Sequence, residues 1–142
     1  MSDPRELRHF PGTQQTIEIV LDGAATEGAL ALMRLTMPPG AGAPRHRHLR
    51  EAETMVVLEG ELLTDVDGSE RVLGRGEAIH LPRESLHSFR SDEGAVVDVI
   101  ATPAGLEEFF RTVCPLDRDA HGPDEDVVRA ALERAGLDFS GT

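Results

Sequence analysis

Three histidines and one acid in this chain are spaced so that four metal donors can meet. His46 and His48 stand two apart in the run Pro44-Arg45-His46-Arg47-His48. In an extended strand, residues two apart share a face, so both imidazoles project one way while Arg47 projects the other. Glu53 heads the apolar, β-branched run Glu53-Thr54-Met55-Val56-Val57-Leu58-Glu59-Gly60, and His87 closes a segment that begins at Gly76. Three neutral imidazoles and one carboxylate suit one divalent transition metal, Fe, Mn, Ni, Co, Cu or Zn, whereas magnesium or calcium would call for mostly oxygen donors. Four protein donors leave an octahedral ion two positions for water, substrate or dioxygen. A divalent ion with one carboxylate keeps a charge of about +1, which favours an anionic chelating ligand.

The elements that must carry these donors read as short strands. Residues 16–21 alternate at period two, and residues 29–37 form a second strand stopped by Pro38-Pro39. Further strands are expected at 62–66, 70–73, 78–81, 87–90 and 95–101, with a turn at Asp67-Gly68. Many short antiparallel strands between turn signals indicate an all-β sandwich or barrel. Residues 104–113 fit a helix with Leu106, Phe109, Phe110 and Val113 on one stripe. Pro123-Asp124-Glu125-Asp126 opens a second helix that Gly136 stops, with Val128, Ala131, Leu132 and Ala135 on its apolar face. Both helices are expected outside the barrel or across its mouth. The chain therefore divides into an N-terminal arm at 1–15, a β-barrel at 16–103 and a helical extension at 104–142.

At this point the sequence resembles the cupin family. The family's first motif, Gly-x5-His-x-His-x4-Glu-x6-Gly, is matched by Gly40, His46, His48, Glu53 and Gly60, and its second by Gly76, Pro82 and His87. Glu84 stands where the family usually has Gly, and Ser91 where it usually has Asn. The Gly position belongs to a turn, so Glu84 raises the question of a non-Gly residue at positive φ. The resemblance implies a single jelly-roll-like barrel, a metal held by His46, His48, Glu53 and His87, and a homodimer. Its spacing favours Glu53 over Glu51, which reads as a loop charge. Residues 101–105 and the helix after them are similar to small cupins likened to quercetin dioxygenases. That likeness implies a dioxygenase acting on a small, metal-chelating oxygenated substrate. A redox-neutral lyase, isomerase, cyclase or hydrolase, or a binding module without turnover, are the alternatives.

Around the donors, Met55 and Val57 should share a face with Glu53, and Phe89 with His87, giving an apolar pocket floor. His80 and Asp98 are the candidate catalytic acid or base. Against that role, His80 could be a satisfied structural histidine, and Asp98, set among the apolar residues 96–100, could face outward into solvent. The formal charge of −12 disfavours nucleic acid and anionic membrane surfaces. No apolar run is long enough for a membrane span and no hydrophobic signal core is seen, so the expected location is the cytoplasm. Cys114 has no motif around it and reads as a bystander. The aromatic set is five Phe with no Trp or Tyr, which argues against a flavonol as substrate.

Overall fold

Alternation of buried and exposed residues runs through the strands, and two antiparallel sheets close over the buried positions. The computed structural model describes residues 5–141. In chain order the elements are β1 (Glu6–His9), β2 (Thr16–Leu21), β3 (Ala31–Met37), β4 (Gly42–His48), β5 (Ala52–Gly60), β6 (Leu62–Val66), β7 (Ser69–Leu73), β8 (Ala78–Leu81), β9 (His87–Arg90), β10 (Ala95–Thr102), α1 (Leu106–Val113), α2 (Glu125–Ala135) and β11 (Leu137–Asp138). One sheet runs β1-β2-β3-β10-β5-β8 and the other β11-β4-β9-β6-β7.

The core lies between their inner faces. On β3, Ala31, Met33, Leu35 and Met37 are buried while Arg34 and Thr36 face away; on β10, Ala95, Val97, Val99 and Ala101 point inward. Each large apolar side chain buried in this way contributes about 1.5–3 kcal/mol. Leu62 and Leu73 from the second sheet complete the packing.

The architecture is a jelly-roll-like sandwich, the open member of the sandwich-or-barrel pair that the strand pattern indicated. Its sheets end in β1 and β8, and in β11 and β7, so no continuous ring of strands forms. The segment read as an arm contains a paired strand: β1 lies antiparallel to β2 with Glu6 opposite Ile19. Arg111 of α1 holds that strand from outside, reaching Glu6 at 2.8 Å and Asp22 at 2.9 Å. Residues 1–4 of the arm lie outside the described residues.

Both helices form where expected and pack on one another outside the sheets. Asp124 caps α2 by accepting from the Val127 amide at 3.0 Å, and Gly136 ends it at φ 70°. Of the predicted apolar face of α2, only Ala131 is fully buried.

Glu84 answers the backbone question raised by its position. It holds the turn at φ 71°, its amide donating to the His48 carbonyl at 2.9 Å and its carbonyl accepting from Arg47 Nε at 3.1 Å. Left-handed backbone costs a residue with a Cβ roughly 1–2 kcal/mol. Glu84→Gly is therefore expected to stabilise the protein by about 1 kcal/mol, read as a rise of roughly 3 °C in Tm; an unchanged or lower Tm would show that the turn carries no such strain.

Candidate metal centre

A one-residue irregularity in β4 turns the two histidines inward. Ala43 pairs with Phe89 and His46 with His87, so three steps along β4 match two along β9. The extra residue reverses the alternation of β4 across Pro44 and Arg45. His46 and His48 consequently share the inner face with His87, their side chains buried, while Arg47 turns out. Glu53 enters from β5 of the opposite sheet, opposite Leu81.

His46, His48, Glu53 and His87 each offer one ligand atom, and these four atoms lie within 4.8 Å of one another. Each histidine has its Nδ1 occupied: His46 by the Pro44 carbonyl at 2.8 Å, His87 by the Ser85 carbonyl at 3.2 Å, and His48 by Glu51 Oε1 at 2.7 Å. Every Nε2 therefore points into the cluster. His48 Nε2 lies 2.7 Å from Glu53 Oε1 and 3.0 Å from His46 Nε2. Among the described residues His87 Nε2 is buried with no hydrogen-bond partner, its distance to Glu53 Oε1 being 3.6 Å. A buried lone pair without a proton donor beside an acid and two more imidazoles fits a metal ligand set.

The site is electrically asymmetric. Burial drives His46 down to about 4, reinforced by His87 and His48 and opposed by the Pro44 carbonyl. Burial would also lower His48, but its hydrogen bonds to Glu51 and Glu53 outweigh this and hold it up at about 9. Burial would raise Glu53, yet the hydrogen bond from His48 and the nearby His87 hold its carboxyl down at about 2. A cationic His48 thus donates on both nitrogens, and a neutral His46 accepts at Nε2.

These shifts fix the pH dependence of the metal-free protein. His48 is raised above the ordinary 6.5, so its contribution is complete below that pH and is lost as pH rises through about 9. His46 is depressed, so the unfolded chain binds the extra proton between 6.5 and about 4 and stability falls with pH across that window. Glu53 is depressed from 4.5 to about 2, and its contribution is lost as pH falls through that range. Thermal melts in chelator should therefore peak near pH 6.5. A stability that keeps rising to about pH 9 would be incompatible with His48 held between two carboxylates.

The structure places both candidate catalytic residues on the outer face of their sheet, the alternative their sequence surroundings had left open. His80 pairs with Thr54 on the outer face, because its neighbours Ile79 and Leu81 take the inner one; its Nδ1 and the Thr54 hydroxyl lie 3.0 Å apart. Asp98 faces outward between buried Val97 and Val99, where Arg34 grips it at 2.8 and 3.2 Å. Neither reaches the cluster. Met55 and Val57 continue inward from Glu53 and are fully buried, and half-buried Phe89 packs against the same core. Cys114 is buried away from the cluster, its thiol pushed up to about 12 by burial.

Sequence reasoning misread one residue and missed another. Glu51 is no loop charge: it is 4% exposed and bound to His48. Its signal was a carboxylate three residues after a ligand histidine. Phe139 stacks on His46 with ring centroids 5.0 Å apart, brought there by the pairing of β11 with β4. Nothing in its sequence neighbourhood announces that contact.

Comparison with known proteins gives a cupin domain family model matching residues 33–103. The quercetin 2,3-dioxygenase of Bacillus subtilis is 32% identical over 100 residues, covering 70% of this chain and 30% of that protein. Germin-like protein 3-1 of Oryza sativa subsp. japonica is 31% identical over 140 residues, covering 93% of this chain and 61% of that protein. The chain thus spans less than two thirds of either relative. Among solved structures, an RmlC-like cupin from Shewanella frigidimarina superposes with a TM-score of 0.65 at 21% identity, over 76% of this chain and 92% of the other. No helix among the described residues is long and apolar enough to cross a membrane.

Proposed function

The chain belongs to the cupin family, and from that premise we propose that it is a metal-dependent enzyme, a dioxygenase acting on a small oxygenated organic molecule that chelates the ion. The observation that carries this reading is the buried set of four donors, with His87 Nε2 lacking a hydrogen-bond partner among the described residues. The 32% identity to a quercetin 2,3-dioxygenase supports oxidation over other chemistries. When bound, a divalent transition metal supplies either a redox centre for dioxygen or a Lewis acid that polarises a carbonyl.

The protein's own residues do the rest. The Nδ1 contacts orient three imidazoles so that each presents Nε2, which is the role of outer partners in histidine metal sites. Met55 and Val57 follow Glu53 along the same buried face of β5 and make that face apolar beyond the carboxylate. With His80 and Asp98 on the outer face, the inner face offers Glu53 as the carboxylate that reaches the cluster and Glu51 as the one behind His48.

Elemental analysis of protein purified without chelator, followed by oxygen uptake with a flavonol and simple diketones, tests the reading. Stoichiometric Fe, Mn, Ni, Co or Cu with substrate-dependent oxygen consumption is the expected result. Stoichiometric zinc without oxygen uptake would move the assignment to redox-neutral Lewis-acid chemistry, and retained metal with no turnover on any substrate to a binding module.

A further inference from the structure

Glu51 stands apart from every other group around the cluster. Its side chain and that of His48 are 5% and 6% exposed, and their 2.7 Å contact is the only one of the three Nδ1 contacts made to a charged group. The counterparts on His46 and His87 are neutral carbonyls. Among the described residues the buried polar set consists of Gln15, four acids and histidines of the cluster, Glu51, three hydroxyl residues and Glu107, and no arginine is buried. The neighbouring Arg50 is exposed.

We propose that Glu51 is the second carboxylate of the metal centre: it fixes His48 through Nδ1 and lowers the charge of the loaded site from about +1 to about zero, so that the centre discriminates against doubly charged ligands. This inference rests on the metal reading above. It revises the expectation of a site that attracts anions, which counted Glu53 alone. A dianionic chelator would meet a divalent ion already balanced by two carboxylates, with no buried arginine to take its second charge. A ligand that is neutral or singly charged meets no such penalty.

The two parts of the proposal predict opposite signs for one substitution. Glu51→Gln keeps the shape and the hydrogen bond but removes the charge. Its cobalt affinity, measured by competition with a chromophoric chelator, should weaken by about 10–100-fold. Its preference for oxalate over glycolate, two bidentate ligands of different charge read from the visible cobalt spectrum, should rise by roughly tenfold. Glu51→Asp, which keeps the charge, should restore the wild-type ligand preference.

Equal cobalt affinity in wild type and Glu51→Ala, which removes the hydrogen bond to His48 altogether, would overturn the positioning role. Weaker cobalt binding with an unchanged oxalate preference would reduce Glu51 to a structural contact and overturn the charge role. A wild-type preference for oxalate as large as that of aqueous cobalt would overturn it without recourse to any variant. Failure of the wild type to bind cobalt at all would instead remove the metal reading from which this inference starts.

Discussion

Replacing His46, His48 or His87 singly by alanine should strip the protein of metal, leaving less than roughly a tenth of stoichiometric occupancy by elemental analysis. The same change at His9 or His121 should leave occupancy intact, because His9 is on β1, outside the cluster, and His121 is exposed. Stability of the metal-free proteins should separate two of these variants. His48→Ala leaves Glu51 and Glu53 buried without the cation that both contact. Removing one partner from a buried pair is worth about 3–5 kcal/mol, so this variant should melt far below the wild type. His87→Ala removes a nitrogen that has no partner and forfeits mainly packing. Full occupancy in all three variants would sink the assignment of the site.

Gly60→Ala should be the most damaging single methyl group in the chain. Gly60 sits at φ 81° where β5 meets β10, and a Cβ there would lie 2.2 Å from the Gly94 carbonyl oxygen. The obstacle is backbone where the paired ends of β5 and β10 meet, one residue before β10 begins, so relief requires those strand ends to part. A loss of about 3 kcal/mol or more is expected, a fall in Tm on the order of 10 °C. Gly68→Ala is the matched control: its φ is 87°, but its Cβ would meet nothing within 4 Å. It should lose only the conformational part, about 1 kcal/mol. Equal losses for the two would show that the close approach at Gly94 carries no energy.

The strands were legible because period-two burial is a local property. Residues 16–21, 62–66, 78–81 and 87–90 came out at their expected positions, and so did α2, whose cap and stop signals lie next to it in the chain. The pairing of β1 was not legible, since its burial alternates only weakly and its partner is supplied by the sheet. The choice between sandwich and closed barrel was open for the same reason: strand content is local, whereas the ring or gap between sheet edges depends on how all the strands stack.

By itself the sequence determined which residue types stand at i and i+2, and therefore that His46 and His48 point the same way. It left open which way. The irregularity between Ala43 and His46 settles that, because one unpaired residue reverses every later side chain of the strand. The outward turn of Asp98 follows equally from its place between Val97 and Val99 once those two are known to be core. The Glu51 contact on His48 is local in the chain but needed the folded loop to show it, whereas Phe139 upon His46 belongs wholly to the tertiary structure. The first forms once the loop after β4 folds back under His48, and the second exists only after β11 has docked on the edge of β4; spacing along a chain carries no record of a distance that long-range packing creates.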